Sequence, residues 1–393
     1  MDYLPEYQLF QLKDGSLGSV LEVELAEHEA MTEFAILKLV GSTKSWFSLP
    51  ENCVLQVLYD SSFYSPLDQK LTRLKESFKS PHPVSKLLYD EKYSILQESC
   101  GKNSDLSPLK RKLLISVRYF LKKKSNPSFK DLTEAHSTLT KELKTFKLEL
   151  EAFHSLILDF LDNTEIHLKS LNAEELLSYL RRSFNPESYF KRIFAPLNPS
   201  IPLADQILFS TPRLSYSGIE CEKVFSKVLT LKTSPSFSYP GGMAYFTSLD
   251  FPFRIGINVS FPSSASVKKF LNTKEFFLEN AASAKARVQK QEIEHVQEQL
   301  ARDDRVLQIT FCLMIEGKTE EELDRRIRKV CNIFHNQLEC EVIEEKDIGL
   351  GLWLNNLPLN YTPDADLSTR RSIRILRSDC INFMPLFDSF RGC

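Results

Sequence analysis

The run RVLQITFCLMIE (Arg305–Glu316), followed by Gly317-Lys318-Thr319 and the charged periodic stretch Glu320–Leu338, limits what this chain can fold into more than any other segment. An apolar strand, a glycine turn and a helix in that order invite comparison with a phosphate-binding loop. Such a loop needs the pattern G-x-x-x-x-G-K-[ST], so that backbone N–H groups can surround phosphate. The position of the first glycine holds Cys312, within the strand itself. A structural role accounts for the triplet instead: Gly317 turns the chain out of the strand, and Thr319 with Glu322 forms a capping box for the helix. Glu320, Glu321 and Glu322 add negative charge to the first turn, which stabilises the helix dipole and repels phosphate. A short strand at Cys340–Glu344 completes a strand–helix–strand unit, and that order favours a right-handed parallel crossover in an α+β domain.

With 393 residues, the chain is long enough for two or three domains. Residues 1–128 read as a strand-rich N-terminal subdomain, with strands at Leu17–Leu25, Cys53–Tyr59 and Lys112–Leu121 and a helix at Pro66–Phe78. Residues 129–195 form a helical segment. In Leu132–Leu161 the apolar residues recur at helical spacing, and Asn172 with Glu175 caps a second helix that ends near Asn185-Pro186. Residues 196–262 are rich in Pro and Ser, with short strands at Lys227–Lys232 and Phe253–Phe261 and a turn at Pro240-Gly241-Gly242. Residues 263–350 comprise a long charged helix, Val267–Ala301, plus the strand–helix–strand unit. As one rod that helix would be roughly 50 Å long. Residues 351–393 form a connector. The chain shows no internal repeat. The expected class is α+β, with mixed sheets, strand–helix–strand units and a helical middle segment.

Candidate chemistry is sparse. Lys plus Arg number 50 and Asp plus Glu 52, a formal charge of −2, so no global basic field recruits nucleic acid or an anionic membrane. A local patch remains: Lys110-Arg111-Lys112 and Lys122-Lys123-Lys124 bracket a strand containing Arg118 and Tyr119. Such a strand can hold single-stranded nucleic acid by phosphate contacts and stacking, while solvated strand ends or a lysine-protected sheet edge explain it equally well. The histidines (His28, His82, His136, His154, His167, His295, His335) have no metal-ligand spacing. The cysteines lack a Cys-x-x-Cys pair, which suits reduced thiols in a cytosolic chain. No Gly-x-Ser-x-Gly elbow marks a nucleophile. The mixed-charge segment Lys285–Arg305 suits a solvent-facing or partner-packing helix. No run approaches the roughly 20 apolar residues that span a bilayer. No catalytic, cofactor-binding or metal residue is therefore assigned.

Elements spread over most of the chain resemble the TraC-type ATPases of conjugative type IV secretion systems, within the wider VirB-four-like family. LPEYQLFQLKDGSLGSVLEVEL resembles the strand that opens the family's non-motor domain. SLPENCVLQVLYDSS and LLISVRYFLKKK resemble its next two strand elements. VLQITFCLMIEGKTEEELDRRIRKV resembles the strand–turn–helix before the motor, and the tail from Leu352 to Gly392 the linking stretch. The chain departs from the family in a shortened start and in stopping before the RecA-like motor with its Walker A and Walker B motifs.

The resemblance implies an N-terminal assembly and docking domain, non-catalytic as it stands, cytoplasmic and held at the inner membrane by its partners. Those partners would be inner-membrane components of the secretion complex, further copies of the chain, and an ATPase motor in cis or on a separate chain. Pilus assembly and DNA transfer are the implied processes. Arg370, Arg371, Arg374 and Arg377 would lie in the connector facing the motor. The alternatives are a nucleic-acid-binding protein using the strand at 110–124, and a stand-alone nucleotide hydrolase with a degenerate loop at Gly317.

Overall fold

The computed structural model describes residues 1–63, 82–99, 109–121, 132–162, 166–186, 195–198, 200–201, 203–209, 211–215, 218–232, 238–279 and 284–388. The helix expected at 66–78, the lysines at 122–124 and parts of the Pro- and Ser-rich segment lie outside these residues. In the first half the strands are β1 (Asp2–Leu4), β2 (Leu9–Gln11), β3 (Leu17–Val23), β4 (Ala26–Glu27), β5 (Cys53–Phe63), β6 (Leu109–Tyr119) and β7 (Leu168–Ser170). The second half supplies β8 (Arg213–Ser215), β9 (Gly218–Cys221), β10 (Val224–Leu231), β11 (Phe253–Ser260), β12 (Val306–Gly317), β13 (Val342–Glu345), β14 (Ile373–Leu376) and β15 (Phe387–Asp388). The helices are α1 (Glu33–Ser42), α2 (Pro83–Ser99), α3 (Leu132–Asp162), α4 (Ala173–Phe184), α5 (Leu203–Ile207), α6 (Ser264–Glu279), α7 (Ala284–Ala301), α8 (Glu320–Asn336), α9 (Gly349–Asn355), α10 (Pro363–Thr369) and α11 (Arg377–Asn382).

The fold is α+β, as the sequence predicts. One 13-stranded sheet runs β1-β2-β3-β6-β5-β11-β12-β10-β9-β8, with β7 on β3, β13 on β10 and β14 on β12. Among the described residues its pairings are antiparallel, and the separate β4–β15 ribbon is parallel. The crossover expected through α8 is a split one. β12 and β13 run in the same direction, but β10 lies between them and pairs antiparallel with both.

The strand order reveals a duplication that the sequence reading misses. In the first half, β7-β3-β6-β5 has the chain order fourth-first-third-second, and β13-β10-β12-β11 repeats it in the second. A short 3-10 turn (Thr43–Ser48, Gly242–Ser248) precedes the second strand of each unit, and a helix (α3, α8) joins the third to the fourth. Each half is thus a ferredoxin-like split βαβ arrangement. β5 and β11 pair antiparallel from Val54↔Ser260 to Ser61↔Phe253, so an approximate two-fold axis passes through the middle of that seam.

Alternation along these strands fills two layers. On one face, Leu55, Val57, Ile115, Ile257, Phe311 and Leu313 pack beneath the 3-10 turns, α3 and α8, where Trp46, Phe153, Phe246 and Phe334 are buried. On the other, Leu58, Leu114 and Met314 pack beneath α4 and α9 with Leu177, Phe184 and Trp353. The rod expected over Val267–Ala301 is two helices: α6 and α7 pack together through Leu271, Ile293, Val296 and Leu300, and Gln297 donates to Glu275 at 3.3 Å. Folding the segment back buries apolar residues that a single rod would leave in water.

Candidate functional site

The turn at Gly317 is built by packing. Gly317 closes β12 opposite Phe225, and a Cβ there would lie 2.9 Å from Leu323 Cγ. Thr319 caps α8 by accepting from the Glu322 N–H at 3.2 Å. The reciprocal half of the expected capping box differs: the Glu322 carboxylate accepts from the Lys318 N–H at 2.7 Å, not from that of Thr319, and also pairs with Arg326 at 2.6 Å. An anion at this helix N-terminus would meet a carboxylate already bound there.

The basic strand is interior. β6 lies between β3 and β5, which corrects the edge-strand reading. Arg111 is buried, pairs with Asp388 at 2.9 Å and donates to the Thr247 carbonyl at 2.7 Å. Arg118 pairs with Asp14 at 2.6 Å, donates to the Tyr361 carbonyl at 3.0 Å and lies over the Phe120 ring at 4.7 Å. Lys112 pairs with Glu22 at 3.0 Å. Arg111 and Arg118 tie β6 to the second half and the C-terminal segment, and Lys112 ties it to β3, where a nucleic-acid contact would need these cations turned outward.

The connector arginines are likewise worked into the fold. Arg371 pairs with Glu345, and Arg377, buried, pairs with Asp304 at 3.4 Å and donates to Ser48 at 3.2 Å. Arg374 is exposed and stacks over the Phe270 ring of α6 at 3.8 Å. Arg370 takes a left-handed conformation (φ 54°) that ends α10. The segment is no free tether: β14 extends the sheet on β12, β15 pairs with β4, and the Phe387 carbonyl accepts from Tyr59 at 3.0 Å.

Sequence reasoning missed the charges on the second face of the sheet. Asp60 of β5 pairs with Arg254 of β11 at 3.1 Å and with Arg182 of α4 at 3.4 Å. Arg254 also donates to Ser183 at 2.9 Å and lies 5.5 Å from the Tyr179 ring centre. Burial alone would raise the Asp60 pKa, but the charges of Arg254 and Arg182 outweigh it and hold this carboxyl below its ordinary value. For neighbouring Glu316 burial wins, and its pKa is raised despite Arg254. Beside this cluster runs a neutral network across the seam. Gln56 donates to Asn258 at 3.0 Å and to the Asn355 carbonyl at 2.9 Å, and Asn258 donates to Asn356 at 3.2 Å. Alternating strands hide such residues, because polar side chains at every second position look solvent-facing until both faces prove covered.

Among the described residues the thiols sit in surroundings that disfavour the thiolate. Cys53, Cys221, Cys312, Cys331, Cys340 and Cys380 are unpaired, and burial pushes Cys53, Cys221 and Cys312 up to about 12, disfavouring the reactive thiolate. Clefts among the described residues include two of appreciable size. One, of about 410 Å³, lies where β9 and β13 meet along β10 and is lined by Ser226, Lys227 and Glu344. The other, of about 520 Å³, lies between α6, α7 and the start of β12, lined by Leu271, Leu300 and Asp304. Among the described residues, no helix is long and apolar enough to cross a membrane.

No curated protein matches the chain. The family described as TraC protein matches residues 1–361, so its correspondence takes in both halves of the duplicated sheet and the seam between them. This chain belongs to the TraC family of conjugative type IV secretion proteins.

Proposed function

We propose that this chain is an assembly and docking domain of the conjugative secretion machine, contributing to pilus assembly and DNA transfer without hydrolysing nucleotide itself. It works beside an ATPase motor held in cis or on a separate chain. Its partners are inner-membrane components of the secretion complex and further copies of itself, and through them it sits on the cytoplasmic side of that membrane. Family membership supports the process. The observation that carries the non-catalytic reading is the Glu322 carboxylate on the Lys318 N–H, where a phosphate cradle would need an open donor. The internal pairing of Arg111, Lys112 and Arg118 disfavours nucleic acid as the ligand.

Equilibrium titration with Mg-ATP, in the native chain and in Lys318→Ala, tests the first point, with no saturable binding expected in either. Tight binding abolished by Lys318→Ala would overturn the reading. Pull-downs with membrane-complex components and with a differently tagged copy test the second, and failure to retain either would remove the docking role.

A further inference from the structure

The segment between α9 and β14 is a strap laid over the second face of the sheet. Gly18 of β3 makes room for it, since a Cβ there would lie 2.5 Å from Leu359 Cδ2. The Leu359 N–H donates to Ser116 of β6 at 2.9 Å, and the Leu359 carbonyl accepts from Arg118 at 3.3 Å. Two non-glycine residues in left-handed backbone, Leu359 (φ 64°) and Arg370 (φ 54°), bracket the rest of the strap, which is α10 and the residues leading into it. Side chains strain the backbone in that region, so both ends of the bracketed segment gain by relaxing. Among the described side chains of α10, Asp366 alone is buried, 3% exposed. Its carboxylate accepts from Thr310 of β12 at 2.7 Å and from Tyr361 at 2.6 Å, both neutral hydroxyls. The groups around it supply no cation. Cys312 of β12 is a neutral thiol, Glu345 of β13 is taken up by Arg371 and Thr230, Ser260 of β11 hydrogen-bonds Tyr361, and Asp364 and Arg370 of its own segment are exposed.

We infer that residues 360–370 form a proton-sensitive latch: the neutral Asp366 carboxyl holds α10 against β12, and its ionisation favours an arrangement in which α10 lifts away while the strands stay paired. The hydroxyls of Thr310 and Tyr361 serve the neutral form as well as the anion, since each can turn from donor to acceptor. Burial raises the Asp366 pKa above the ordinary carboxylate value, and the two hydroxyl bonds only partly offset it. Burial and the neighbouring carboxylate also push the Tyr361 hydroxyl up, so it keeps its proton throughout. Because the folded-state pKa of Asp366 lies above the unfolded one, its contribution is complete below about pH 4 and is lost as pH rises through the folded-state value. The latch therefore tightens in acid. The opening is local, because Leu359 keeps its own bonds to Ser116 and Arg118. This latch is independent of the docking role proposed above, and either can fail without the other.

The test is native-state hydrogen exchange of the full chain between about pH 4 and about pH 8, each rate corrected for its intrinsic pH dependence. The Arg370 N–H, which donates to the Asp366 carbonyl at 2.8 Å and closes α10, reports the latch, and the amides of β11 report the sheet. Opening at Arg370 should increase with pH, by up to about tenfold per unit, until the folded-state pKa is passed, with the β11 amides unmoved. Asp366→Asn keeps the shape without the charge and should remove that dependence. In the native chain the carboxyl itself, followed by carbon NMR of labelled aspartate, should titrate above the ordinary value of about 4. Protection at Arg370 that does not change with pH, a dependence that survives in Asp366→Asn, or a carboxyl that titrates at or below the ordinary value overturns the inference. The carboxyl titration needs no variant, so it decides even where Asp366→Asn folds poorly.

Discussion

Gly256 has no room for a side chain. A Cβ at this position in β11 would lie 1.8 Å from Asn356 Oδ1, the atom that accepts from Asn258. Gly256→Ala should therefore displace Asn356 from the seam network and lower unfolding free energy by about 1–3 kcal/mol, measured by urea denaturation. Asp60 is a sharper case, because Arg254 and Arg182 share it in a covered layer. Asp60→Asn leaves both cations without their carboxylate, and the expected loss is about 3–5 kcal/mol. The pH dependence follows from the direction of its pKa. Held below the ordinary carboxylate value, Asp60 stabilises the fold at neutral pH, and that stability disappears as pH falls through about 4 toward the folded-state value. An acid titration of stability should be flatter in Asp60→Asn than in the native chain. None of these residues was legible in the sequence as more than the polar half of an alternation, because what covers the second face, α4 and α9, comes from distant chain.

Among the elements, local signals were read well and distant ones poorly. The Asn172 cap is a complete box, with Glu175 N–H donating to Asn172 at 2.9 Å and Asn172 N–H to Glu175 at 3.0 Å. It was legible because all its atoms lie within one turn. Long strands such as β5, β6 and β12 were legible for the same reason, through their apolar runs. The break between α6 and α7 was not, since uniform helical periodicity does not record where a helix folds back on itself. At α8 the cap and the lysine can be separated by experiment. Thr319→Ala should cost about 1 kcal/mol in denaturation, through the lost bond to the Glu322 N–H. Lys318→Ala, an exposed residue that contributes only its backbone N–H here, should stay within about 0.5 kcal/mol.

For the whole molecule the decisive contact is the ladder between β5 and β11, which makes one sheet of two similar units. The duplication escaped the sequence reading because two βαββαβ units need share only alternation and topology. Leu58 and Asn258 sit at comparable places in their strands with opposite polarity. Continuity across the seam predicts joint unfolding of the halves. Trp46 lies in the first and Trp353 in the second, both buried, and the sequence holds no other tryptophan. The single-tryptophan variants Trp46→Phe and Trp353→Phe should each be compared with its own circular-dichroism transition. Coincident midpoints by both probes are expected, and two separated transitions would show that the halves melt independently.

The closing of β15 onto β4 bears on how the polypeptide is made. The carboxylate that neutralises Arg111 is translated 277 residues after it. At roughly 5–20 residues per second, the ribosome takes about 15–55 s to supply Asp388. Throughout that interval the nascent first unit keeps a cation at the edge of its interior without its final counter-ion. Protease resistance of the nascent chain is therefore expected to rise when Asp388 is supplied rather than when the first sheet emerges, which pulsed proteolysis of stalled chains would check.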